Sequence, residues 1–205
     1  MSIVSVNLDN LSESARAEVM RNMETQAAAP ANPFQGVKDG ETFTVAGIEF
    51  IKFPAVNGKV PAMTRDCMFT SRFGDNNDLR NSDALKKMEE DVLPKIIAAV
   101  GEENVCTIQT DLTCLDGLKP YGVMESKVSL PTLDFYRANV EIFDKYTVDD
   151  WFWLATPESA QPHDNPYWIL CVAPSGNIYY GYYYRDNGVR PFFFFDSSIF
   201  ESCGE

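Results

Sequence analysis

The sequence holds a single histidine, His163, and that scarcity removes whole classes of chemistry. A His-rich metal site is excluded, and so are most nucleophile–histidine–acid triads, because His163 is the only imidazole available. No Gly-x-Ser-x-Gly elbow occurs, and a lone histidine in a loop reads as solvated. The five cysteines (Cys67, Cys106, Cys114, Cys171 and Cys203) form no Cys-x-x-Cys pair, so the close thiolate spacing of a structural zinc site is missing. Their number is odd, and the first twenty residues have no basic, apolar leader. Together these read as reduced thiols made in cytosol, some buried as small hydrophobes. There is no Gly-rich phosphate-cradling loop. No run of about 18 apolar residues occurs, so no membrane insertion is expected. Cations are the scarcer charge, with 17 Lys+Arg against 30 Asp+Glu and a net charge of −13. Neutralising the phosphates of nucleic acid or of an anionic bilayer needs clustered Lys and Arg, so neither is an expected partner.

What is present fits a globular protein. Of 205 residues, 45% are hydrophobic and 13% aromatic, enough to build a core without disulfide staples. The length suits one domain with an appendage. Residues 1–35 read as that appendage. Asn10 is a suitable N-cap, Glu13 stands three residues behind it as in a capping box, and Leu11, Ala15, Val19 and Met23 recur every four residues. The helix so described runs into a Pro/Ala linker, residues 26–33. A short helix on a linker is marginal alone, so it either frays or docks on a partner through Leu11, Val19 and Met23.

Residues 36–205 read as the folded domain. Residues 41–53 alternate apolar and polar around Ala46-Gly47, which predicts a hairpin. Residues 60–69 predict one strand. Ser82 is a candidate N-cap for a helix through Val100, with Gly101 as its stop and Pro94 as an internal kink. A strand at 105–108, a turn-rich loop at 112–124 and a short helix at 133–140 follow. From Trp151 the chain turns aromatic. Strands are expected at 151–155, 167–172 and 177–184, and Asn187-Gly188 is a hairpin signal leading to Val189–Phe195. The acidic pair Asp149-Asp150 reads as a loop end, and Glu89-Glu90-Asp91 as an ordinary charged helix face.

Two aromatic runs invite functional readings. In a strand, Tyr180, Tyr182 and Tyr184 share one face and Tyr179, Gly181 and Tyr183 the other. Either the rings pack across strands, or one face displays them beside Arg185, Asp186 and Asn187 as a ligand-binding surface. Phe192 to Phe195 cannot all enter one core, so another element or another chain must cover the second face. Phe192 and Phe194 are therefore expected at a subunit interface, and a homo-oligomer with them. Arg190, just before this run, reads as a structural cation that stacks on a ring or pairs with a carboxylate.

The ordered set Trp151-x-Trp153-Leu154-Ala155-Thr156-Pro157, the Tyr-rich strand, Gly188-Val189-Arg190-Pro191 and Asp196-Ser197-Ser198 resembles the C-terminal half of an uncharacterised domain common in gut bacteria and their phages. Thr110-Asp111-Leu112-Thr113, Asp116-Gly117-Leu118 and Lys127-Val128-Ser129-Leu130 occur upstream in similar order, so the resemblance covers roughly residues 37–198. The domain is similar to the C-type-lectin-like fold, shared with formylglycine-generating enzymes and with variable proteins of diversity-generating retroelements. The resemblance implies an α+β fold with antiparallel strands and two or three helices, preceded by the helical arm. It implies no enzyme, cofactor or metal here. The copper-binding cysteine pair of formylglycine-generating enzymes has no counterpart. The calcium motifs of sugar-binding lectins are broken at Gln161-Pro162-His163-Asp164, where Glu158, Asp164 and Asn165 read as a surface loop. The expected function is a phage virion protein, such as a capsid decoration, head fibre or tail accessory. Its arm would anchor to other virion proteins, after assembly in host cytoplasm. The alternative is an adhesion domain binding a host surface glycan or protein.

Overall fold

The structure, a computed structural model, describes residues 12–16, 33–164 and 166–201. The chain divides into two compact units, Met1–Pro33 and Phe34–Glu205. In the first, residues 13–16 form a helical turn. Ser12 starts it: its carbonyl accepts from the Arg16 N–H at 2.9 Å and its Oγ from the Ala15 N–H at 3.4 Å. Asn10, Leu11, Val19 and Met23 lie outside the described residues.

The second unit is mixed α+β, with mostly antiparallel strands. Strands β1 (Thr42–Val45) and β2 (Ile48–Lys52) form the expected hairpin. Ala46 and Gly47 both take positive φ (51° and 76°), the requirement of a two-residue turn that follows strand twist. Next come β3 (Lys59–Thr64) and β4 (Phe69–Arg72), then helix α1 (Asp83–Lys87), a π-helical turn (Met88–Val92) and α2 (Leu93–Val100). Ser82 Oγ caps α1 by accepting from the Leu85 N–H at 2.9 Å, and Gly101 ends α2 at φ 90°. Pro94 has no N–H to give to the turn before it, and the π-turn absorbs that break. The remaining elements are β5 (Val105–Cys106), β6 (Ile108–Asp111), β7 (Val123–Ser126), α3 (Leu133–Ala138), α4 (Val140–Phe143), β8 (Phe152–Pro157), β9 (Trp168–Val172), β10 (Ile178–Tyr182), β11 (Asp186–Val189) and β12 (Phe192–Asp196).

Two five-stranded sheets result, ordered β1-β2-β3-β12-β5 and β10-β9-β8-β11-β4, with β6-β7 as a separate ribbon. Both sheets feed two apolar cores. One gathers Phe50, Phe193, Phe195, Trp153 and Cys171 with Met88 and Ile96 of the helical segment. The other gathers Phe53, Met63, Phe192, Leu154 and Leu170 with Leu133 and Phe143 from α3 and α4. Strands buried on both faces read as unbroken apolar runs, and this explains the four phenylalanines. Phe193 and Phe195 enter the first core, while Phe192, 4% exposed, packs on Phe135 with ring centroids 4.6 Å apart. Phe194 is half-buried and edge-on to Phe192. The chain's own elements thus cover Phe192, Phe193 and Phe195, and of the two residues expected at an interface only Phe194 stays partly exposed.

Two further expectations are corrected. Residues 60–69 are not one strand: the chain leaves β3 at Thr64, bends, and enters the other sheet as β4. Asn187-Gly188 is not a turn. Both residues lie inside β11, opposite Ser71 and Thr70, and the chain reverses earlier, at 183–185. Gly188 serves close approach rather than turn geometry. A Cβ there would overlap Cys67 Sγ and stand 2.9 Å from Trp151 O.

Candidate functional site

Strand β10 is the outer strand of its sheet, paired only with β9; Tyr179 and Tyr180 are exposed and Tyr182 half-buried. Register sets their faces. Tyr179 lies opposite Cys171, which lies opposite Trp153, so these three share a face; Tyr180 and Tyr182 lie opposite Leu170 and Trp168 on the other. The first core covers Trp153 and Cys171 but stops short of Tyr179, because Gly181 follows where a side chain would have continued the cover. A Cβ on Gly181 would stand 3.1 Å from the Trp153 ring.

The result on that face is a groove of about 270 Å³. One wall is aromatic: Trp151 and Tyr179 meet with ring centroids 5.0 Å apart at 60°. Its polar lining comes from Arg185, Asp186 and Asn187 at the entry to β11, and Tyr180 borders it while its ring lies on the other face, edge-on to Trp168 at 5.1 Å. Cys171 and Gly181 form the floor. The groove therefore brings together Tyr180, Arg185, Asp186 and Asn187 from the sequence reading. Trp151, Tyr179, Cys171 and Gly181 were missed, since only pairing across β8, β9 and β10 aligns them. Tyr182 and Tyr184 stand elsewhere, in a ladder on the opposite face. Tyr182 stacks on Trp168 at 3.6 Å, and Tyr184 stacks on Tyr182 at 5.0 Å and 13°. Asn77 anchors this ladder from below, donating from Nδ2 to Trp168 O at 2.9 Å and to Ser159 O at 2.8 Å, while its Oδ1 accepts from the Tyr121 hydroxyl at 2.7 Å.

The other cavities carry less. One, about 550 Å³, is lined by Arg65, Asp66, Cys67 and Asp149-Asp150 without an aromatic wall. Another, about 10 Å³ beside Tyr136, Asp144 and Arg190, has room for about one water. His163 sits in an exposed loop with Nδ1 3.0 Å from Asp116 Oδ2. Ser159 donates to that same carboxylate oxygen at 2.6 Å, not to the imidazole. A hydroxyl so placed is not activated by the ring. These bonds, Ser159's first, hold the Asp116 carboxyl below its ordinary value. Burial, with Asp164 and Asp116 nearby, raises that of Glu158. Asn165 lies outside the described residues. Among the described residues no group of three or more His, Cys, Asp or Glu side chains is placed to hold a metal ion. Nor is any described helix long and apolar enough to cross a membrane.

The cysteines give a pH prediction. Cys67, Cys106, Cys114 and Cys171 are free thiols; Cys203 lies outside the described residues. Burial pushes Cys67, Cys114 and Cys171 from the ordinary 9.0 up to about 11. Below pH 9 both folded and unfolded chains keep these protons. Between 9 and 11 the unfolded chain ionises first, so the folded state binds more protons and stability falls as pH rises. Arg190 acts with opposite sign above pH 10, because burial lowers its guanidinium to about 10. The urea midpoint is expected to drop from pH 8 to pH 10, and to drop less in a Cys67→Ala, Cys114→Ala, Cys171→Ala variant. Equal drops in both proteins would count against the assignment.

Comparison with protein-family models, with curated proteins and with solved structures finds no match for the chain.

Proposed function

We propose that the chain is a non-enzymatic virion accessory protein whose second unit is a C-type-lectin-like display domain. The observation that carries this reading is the division at Pro33, which separates the arm from a body with its aromatic strand β10 at a sheet edge. Three motif residues of the resemblance support it, because they have structural tasks. Gly188 allows close chain approach, Arg190 is buried against the Thr64 and Arg65 carbonyls, and Asp196 Oδ1 accepts from the Ser198 N–H at 2.9 Å to start the final turn. The net charge of −13 suits a soluble, displayed surface. In this reading the arm attaches to a capsid, portal or tail protein, and the body faces outward.

The test is capture from source lysate, read by mass spectrometry, with two baits: the full chain and a chain beginning at Gly36. Only the full-length bait is expected to recover a capsid, portal or tail protein. Recovery of such a protein by both baits would move the attachment to the body. Recovery by neither would remove the virion assignment.

A further inference from the structure

We propose that the groove between Trp151 and Asn187 binds one neutral saccharide unit of a glycan. This deepens the display reading by naming what the outward face holds. Its lining has an aromatic and a polar part. A pyranose has an apolar face of C–H groups and a rim of hydroxyls. The negative face of an aromatic ring attracts the weakly positive C–H groups, and Trp151 and Tyr179 offer such faces, 38% and 48% exposed. The same groove is lined by three consecutive residues with planar polar groups, the Arg185 guanidinium, the Asp186 carboxylate and the Asn187 amide. Planar groups of this kind grip neighbouring hydroxyls as paired donor and acceptor.

Size and charge narrow the class. The volume, about 270 Å³, falls just under the range of drug-sized ligand sites, so it suits a single sugar ring rather than a peptide segment. The chain carries −13 overall, and Asp186 stands beside Arg185, so the field opposes sialic-acid or phosphate-bearing units. The site is also preformed. Gly181 lies against the Trp153 ring, where a Cβ would stand 3.1 Å away, and with no side chain of its own it leaves the floor open. The Asn187 amide lies against this floor, its Nδ2 3.7 Å from where a Cβ on Gly181 would stand.

The experiment uses the full-length protein and does not depend on anchoring. A glycan array selects a hit, and its terminal methyl glycoside is then titrated by tryptophan fluorescence or saturation-transfer NMR. Saturable binding of a neutral glycoside is expected. Trp151→Ala is expected to weaken it by on the order of tenfold, as for an aromatic anchor. Tyr184→Ala, which alters the ladder on the opposite face, is expected to leave it unchanged. Asp186→Asn, which keeps the shape of the wall, should weaken binding with folding intact by circular dichroism. The proposal is overturned if no glycan binds, if only anionic glycans bind, or if Tyr184→Ala abolishes binding and Trp151→Ala does not. Because the readout is sugar binding by the free chain, its failure leaves the capture result standing, and the reverse holds too.

Discussion

Trp153→Ala is expected to destabilise the fold by about 3–5 kcal/mol, the range for emptying a buried tryptophan site. Trp153 is fully buried in β8, edge-on to Phe73 at 5.7 Å, and its indole N–H donates to Ser71 O at 2.9 Å. The substitution removes the ring on which Gly181 rests and leaves a backbone acceptor of β4 without its donor. The groove floor therefore goes with the stability, and glycoside binding should vanish in the same variant. Trp153→Phe keeps most of the buried area and loses the indole bond, so about 1–3 kcal/mol is expected. Urea unfolding at pH 7 separates the two. An alanine variant within about 1 kcal/mol of the parent would show that the site collapses without cost.

Arg190→Ala is the second large effect, also about 3–5 kcal/mol, from the cavity left behind and two buried carbonyls deprived of their donors. Arg190 is 1% exposed, and no ion pair to it occurs among the described residues. Its charge is met by dipoles instead. Nε donates to Thr64 O at 3.0 Å and Nη2 to Arg65 O at 2.6 Å, and the guanidinium stands 5.0 Å over the Phe152 ring. These carbonyls lie where the chain leaves β3 for β4, so one side chain fixes the crossing between the two sheets. Arg190→Lys offers a point charge where a planar fork is needed and should recover only part of the loss. Arg190→Met fills the space, relieves the buried charge and leaves both carbonyls unmet, so it should fall between parent and alanine. A lysine variant as stable as the parent would refute the fork.

Much of this architecture is legible in the residues, and the failures have a common cause. Local signals worked where local geometry decides. The Ala46-Gly47 turn, the Ser82 cap, the break at Pro94 and the stop at Gly101 depend on neighbours within a few positions. They failed where a distant strand decides. Asn187-Gly188 has turn chemistry, yet pairing with β4 and the approach of Cys67 and Trp151 hold it extended. The Phe192–Phe195 run shows that both faces are covered, but not by what; the covers come from α3 and from the helical segment after Ser82. The site was half visible for the same reason. Arg185, Asp186 and Asn187 are contiguous and polar, whereas Trp151 and Tyr179 meet across two intervening strands.

The position of β12 has a consequence for how the protein comes into being. Residues 192–196 lie between β3 and β5, whose residues precede them by about 130 and about 90 positions. During synthesis the hairpin of β1 and β2 and the helical segment emerge early, but their sheet lacks the strand between β3 and β5 until residues 192–196 have been made. Until then Phe50, Ala62 and Val105 present an uncovered apolar face, the kind of surface that chaperones hold. Closure of so long a loop is slow beside helix formation, so the order of events is local structure first and sheet completion last. A ribosome stalled before Phe192 would carry a chain that has its hairpin and helices but lacks the strand that joins β3 to β5.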